Sequence, residues 1–145
     1  MIEIQRSALV NYDVLQMFNL VNDVESYPQF LPWCKTASIM SQSPQNMSAQ
    51  LEISHGPFKK TFSTQNRLIP GEKIEMLLLN GPFKQLEGLW TFIPLDNASC
   101  KVMFQLKFEF SSKLTGMVAN PIFSQIATGL VSAFCNRAQS VYGKK

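Results

Sequence analysis

Between Lys35 and Phe110 apolar residues recur at every second position, and this period fixes the type of structure the chain can form. The strictest stretch sets Cys100, Val102, Phe104, Leu106, Phe108 and Phe110 against Lys101, Met103, Gln105, Lys107 and Glu109. A strand turns successive side chains to opposite faces, so this pattern predicts one buried and one wet face. Strands of a parallel sheet, covered on both sides, would instead read as continuous apolar runs. Similar alternation runs through Met47, Ala49, Leu51 and Ile53, then Phe58 and Phe62, then Ile74, Met76 and Leu78, then Leu86, Trp90 and Phe92. Ser43-Pro44, His55-Gly56-Pro57, Ile69-Pro70-Gly71, Asn80-Gly81-Pro82 and Asp96-Asn97 separate these runs as turns. The tetrapeptide Gly-Pro-Phe-Lys occurs at 56–59 and 81–84 with unlike flanks, which reads as two similar turns feeding two strands.

A sheet with one apolar face needs a cover. Helical spacing appears at both ends of the strand region. Residues 2–10 suggest a first strand, after which Val14, Met17, Phe18 and Val21 form the stripe of an amphipathic helix capped by Asn11 or Asp13. Near the C-terminus, Asn120-Pro121 predicts a helix start, and residues 121–142 make about 33 Å of helix, with Gly143 as its stop. Phe123, Ile126, Ala127, Leu130, Phe134, Ala138 and Val141 share one face of it. Residues 112–119 read as a separate short helix or turn. The expected fold class is α+β, a curved antiparallel sheet around a long C-terminal helix. No linker divides the chain, so residues 1–145 read as one domain.

The segment Ser26-Tyr27-Pro28-Gln29-Phe30-Leu31-Pro32-Trp33-Cys34 is an anomaly. It connects a helix to a strand yet carries no charge, whereas connections are normally polar. Such a loop covers a core, closes a cavity or faces a partner. The rest of the sequence sets fewer limits. The start of the chain lacks the apolar stretch of a secretory signal, and no contiguous apolar run approaches a membrane span. Cys34, Cys100 and Cys135 do not form a disulfide framework or a zinc motif, so the chain reads as reduced and cytoplasmic, with no metal site. The net charge is only +3, but no acidic residue follows Glu109, and residues 54–67 carry Lys59, Lys60 and Arg67 with no acid in their strand. Such clusters suit phosphate contacts, or simply a solvated face.

The residues offer little for catalysis. His55 is the sole histidine and sits in a turn. Glu52, Glu75, Glu87 and Glu109 fall on the polar parity of their strands, and Asp23 and Glu25 lie at the end of the first helix. No inward acid or base is evident, so no catalytic residue is assigned. Arg137 falls within the apolar stripe of the last helix: its stem packs while its head reaches Asp23 or Glu25, or it donates to a ligand. Gly129 interrupts the same helix, for close packing on the sheet or for room beside it. The inward residues Phe62, Met76, Leu78, Trp90, Phe104, Phe108, Leu130 and Phe134 fill a core or line a pocket, and sequence alone leaves both open.

Four segments carry a family likeness: Leu20 to Cys34, Gly81 to Phe92, Phe108-Glu109-Phe110, and Phe134-Cys135-Asn136-Arg137-Ala138. With them the whole chain resembles the START-like (Bet v 1-like, helix-grip) superfamily, and within it the RatA-like ribosome-association toxins and the related coenzyme Q-binding proteins. The resemblance implies a helix-grip fold around an apolar cavity and two roles. One is a toxin that binds the large ribosomal subunit and blocks subunit joining, with an antitoxin as a further partner. Lys59, Lys60, Arg67, Lys84, Lys144 and Lys145 are then the candidate rRNA contacts. The other is a carrier of ubiquinone or a similar apolar lipid, with no obligatory cofactor. Tyr27, Phe30, Leu31 and Trp33 would then gate the cavity, the inward residues above would line it, and Arg137 would meet a quinone oxygen. Some relatives are called polyketide cyclases or dehydrases, an activity the missing inward carboxylates do not support.

Overall fold

A computed structural model of the protein describes residues 1–144. Seven strands form one antiparallel sheet: β1 (Ile2–Val10), β2 (Cys34–Gln42), β3 (Asn46–His55), β4 (Phe58–Ile69), β5 (Lys73–Asn80), β6 (Phe83–Asp96) and β7 (Ser99–Phe110). Their order is β1-β7-β6-β5-β4-β3-β2. Hairpins join β2 through β7, while β1 returns to pair with β7 from Ile2↔Phe108 to Val10↔Cys100. Helix α1 (Val14–Asn22) and a 3₁₀ turn at Val24–Gln29 carry the chain from one sheet edge to the other. The long helix α2 (Lys113–Tyr142) lies against the inner face and buries Phe123, Ile126, Ala127, Val131, Phe134 and Ala138. This is the curved sheet and covering helix expected from the two periodicities.

Local chemistry sets the boundaries. Asp13, rather than Asn11, caps α1: its carboxylate accepts from Gln16 N at 2.8 Å, while the Gln16 side chain accepts from Asp13 N at 2.9 Å. These reciprocal bonds satisfy two amides that the helix itself leaves free. Gly81 has a positive φ, and a Cβ there would lie 2.7 Å from the Cβ of Phe62, so the tight approach requires glycine. Both Gly-Pro-Phe-Lys turns deliver a phenylalanine to one cluster. Phe58 and Phe83 place their rings 6.0 Å and 4.6 Å from that of Phe110.

The last helix departs from expectation at its start. Residues 113–120 belong to α2, which runs through Pro121 and is capped by Ser112. Gly116, Ala119 and Phe123 continue the buried stripe across the proline, so tertiary burial outweighs the missing N–H at Pro121. The stripe also differs near its end: Val131 is buried, whereas Val141 is largely exposed. On average α2 is long and apolar enough to cross a bilayer; its buried stripe packs on the sheet, while Leu114, Met117 and Val118 near its start are exposed.

Candidate ligand-binding site

The inner face of the sheet is filled at one end and hollow at the other. At the filled end Phe62, Phe83, Phe108, Phe110 and Phe123 pack ring against ring, with Phe108–Phe123 centroids 4.8 Å apart. Beyond them lies a cavity of about 80 Å³. Its wall includes Leu51, Ile53, Phe62, Met76, Trp90 and Phe104 from the sheet, with Ile126, Ala127, Leu130 and Phe134 from α2. Trp90 stacks on Phe104 at 4.4 Å and meets Phe134 edge-on at 5.3 Å, which fixes the floor. The volume suits a few water molecules and is well below the roughly 300–1,000 Å³ of a drug-sized site. A larger guest therefore requires side chains of the wall to move.

The apolar connection divides its labour. Tyr27 and Trp33 line the cavity, while Leu31 and Cys34 are buried outside it as core. Tyr27 donates its hydroxyl to the Val21 carbonyl and sets its ring 5.4 Å from Phe134. Backbone bonds from Leu31 N to Tyr27 O at 2.9 Å and from Ser54 N to Trp33 O at 2.8 Å tie the segment to itself and to β3. Trp33 and Ile126 also border a surface depression shared with Pro32, His55 and Gly129. These two side chains form the partition between the cavity and this depression, the place where a shift of side chains would open a mouth. A Cβ added at Gly129 would meet nothing within 4 Å, so this glycine leaves room at the mouth and does not serve close packing on the sheet.

Eight of the thirteen residues expected in the site are in the cavity wall: Tyr27, Trp33, Phe62, Met76, Trp90, Phe104, Leu130 and Phe134. Five stand elsewhere. Phe108 belongs to the aromatic plug, and Leu31 is core. Leu78 lies on β5 near the hairpin, outside the wall. Phe30 packs behind the cavity against Phe134 at 5.3 Å. Arg137 grips Phe30 from the other side, with its guanidinium carbon 5.0 Å from the ring centroid and Nη2 donating to Gln29 Oε1 at 2.9 Å. It reaches neither the cavity nor Asp23, which instead accepts from Ser26 Oγ at 2.6 Å. Arg137 thus latches the apolar segment onto α2.

Thr64 and Asn66 were not expected in the wall, and both are. They are 7% and 5% exposed, and Thr64 Oγ1 donates to Asn66 Oδ1 at 2.8 Å. The signal is present in the sequence: Phe58, Phe62, Thr64, Asn66 and Leu68 share one strand parity. Two polar residues on that parity turn inward because the strand gives them no other side.

Among the described residues the wall holds no carboxylate, histidine, lysine or arginine. Its ionisable group is the Tyr27 phenol, which burial, with Cys34 and Asp23 nearby, pushes well above the ordinary range. Burial likewise pushes the Cys34 thiol up to about 11, so it is protonated at neutral pH and a poor nucleophile. No proton-transfer group is therefore poised within the cavity near neutrality.

The candidate basic residues are spread over the outside. Lys59, Lys60, Arg67 and Lys144 are exposed and have no ion pair within 4.0 Å among the described residues, whereas Lys84 pairs with Glu109 at 3.6 Å. Lys59 and Lys60 are neighbours in an unbroken stretch of β4, so they project to opposite faces of the sheet. Lys145 lies outside the described residues.

The family model for polyketide cyclase / dehydrase and lipid transport matches residues 10–135. The chain belongs to this family. Among its relatives, ribosome association toxin RatA of Vibrio cholerae is 47% identical over 142 residues, covering 98% of this chain and 99% of that one. Coenzyme Q-binding protein COQ10 homolog B of Xenopus laevis is 28% identical over 148 residues, covering 99% and 61%. A START superfamily protein from Mycobacterium smegmatis superposes with a TM-score of 0.80 at 19% identity, covering 96% and 98%. Zhui aromatase/cyclase from Streptomyces superposes at 0.82 with 14% identity, covering 95% and 93%. These two structures share the helix-grip fold with this member of the family; at such identities the likeness extends to fold alone.

Proposed function

We propose that this chain is a non-enzymatic, cytoplasmic binding protein that associates with the large ribosomal subunit and obstructs subunit joining. The observation that carries this reading is the 47% identity to a ribosome association toxin across nearly the whole of both chains. The cavity wall supports the non-enzymatic part, since it offers no acid or base for cyclase chemistry. The exposed cations Lys59, Lys60 and Arg67, which have no ion pair among the described residues, support an electrostatic contact with rRNA. Their spread over two faces suits several separated phosphates better than one compact patch. Binding to purified large subunits should fall steeply as salt rises, because each neutralised phosphate releases a counterion. Changing Arg67 to Ala should weaken binding and lower the salt slope by about one. Affinity independent of salt would overturn the contact through these residues.

A second reading is favoured by the cavity itself. An uncharged wall with aromatic and aliphatic side chains, in a chain 28% identical to a coenzyme Q-binding protein, suits an apolar ligand of the quinone type. The two roles use different parts of the molecule and are compatible.

A further inference from the structure

The polar pair on β4 brings two hydrogen-bonding side chains into an otherwise largely apolar wall. Asn66 is nine-tenths buried and lines the cavity, its Oδ1 accepts from Thr64, and its amide nitrogen donates to no other described residue. Among the described residues the fully enclosed polar atoms without a partner are Asn22 Oδ1 and Arg137 Nε, so the Asn66 amide is not sealed off and keeps access to open space. Thr64 and Asn66 stand opposite Ala49 and Met47 on β3. Ser54, which borders the depression at the mouth, lies seven residues further along the same strand than Met47. At about 3.3 Å per residue this is roughly 23 Å.

We propose that Thr64 and Asn66 anchor a hydrogen-bond acceptor, the carbonyl oxygen of an otherwise apolar ligand, with the ligand's tail directed towards the Trp33–Ile126 mouth. The Asn66 amide supplies the donor, and Thr64 holds that amide in its orientation through the 2.8 Å bond. The proposal rests on the cavity being a ligand site, and it replaces Arg137 as the group that meets the ligand oxygen. It predicts discrimination: the site should prefer a molecule with a carbonyl over one of similar size and tail without it, because the latter leaves the amide unpaired.

The test uses the full chain with two probes, a decyl-substituted 1,4-benzoquinone and decylbenzene, followed through tryptophan fluorescence. Wild-type protein should bind the quinone more tightly. Asn66→Leu should weaken the quinone about tenfold, the worth of one buried hydrogen bond, while leaving decylbenzene unchanged or tighter. Asn66→Leu also takes the acceptor from Thr64 Oγ1, so the variant that removes both partners, Thr64→Val with Asn66→Leu, should melt close to the wild type. Thr64→Val should show the same selectivity loss more weakly. Equal effects of Asn66→Leu on both probes, or no effect on either, would overturn the anchor while leaving the cavity a ligand site. A lower melting temperature with no change in selectivity would make the pair structural and also overturn it. Failure of wild-type protein to bind either probe would overturn the anchor and the ligand reading together.

Discussion

Replacing Phe134 with alanine should lower the free energy of unfolding by about 3–5 kcal/mol, the largest effect expected from a single substitution here. The side chain is 1% exposed and sits where α2, the sheet and the apolar connection meet. Its ring contacts Trp90, Tyr27 and Phe30 at centroid distances of 5.3, 5.4 and 5.3 Å. Truncation removes the transfer free energy of the ring and leaves a void beside a cavity that already exists, so collapse onto the space is hindered. The loss should be local as well as global. Tyr27 and Phe30 pack on this ring, and the segment they anchor has few other tertiary bonds besides Ser54 N to Trp33 O and the Arg137–Gln29 contact. Denaturant unfolding measures the first effect, and hydrogen exchange at residues 27–34 measures the second. A loss below about 1 kcal/mol with unchanged exchange would show that the segment is held by other means.

Filling the cavity from α2 should separate ligand binding from everything else the protein does. Ala127 is buried and faces the hollow. Ala127→Leu places an isobutyl group in a space of about 80 Å³ and should weaken decyl-benzoquinone binding by more than about tenfold, the equivalent of losing roughly 1.4 kcal/mol. Overpacking costs about 1–3 kcal/mol where no void exists, so a cavity-lining position should show little destabilisation. Association with ribosomal subunits should be unaffected, because Ala127 lies inside and the candidate cations lie outside. Unchanged quinone affinity in this variant would place the ligand elsewhere.

How far the sequence leads depends on which physical signal each feature leaves. Alternation between Cys100 and Phe110 is strict because every second residue along this stretch of β7 is buried, and it reads without ambiguity. The start of α2 does not: Asn120-Pro121 is a strong local signal for a helix start, and only burial of Gly116 and Ala119 against the rest of the molecule outweighs it. Arg137 shows the limit of a helical wheel. The wheel places it correctly on the buried side, but its partner is Gln29, from an irregular segment whose position no periodicity encodes. Thr64 and Asn66 show the opposite error, in which polar character hides residues that strand parity turns inward. The division between plug and hollow is the least legible feature. Phe104 and Phe108 differ by four positions on the same face of β7, yet one lines the cavity and the other fills the plug.

Ribosome association is tested most directly by sedimenting the purified chain through a density gradient with isolated large and small ribosomal subunits at low ionic strength. The chain should travel with the large subunit, be absent from the small-subunit fractions, and leave the large subunit as salt is raised. A chain that stays at the top of the gradient with both subunits at low salt would contradict the proposed function.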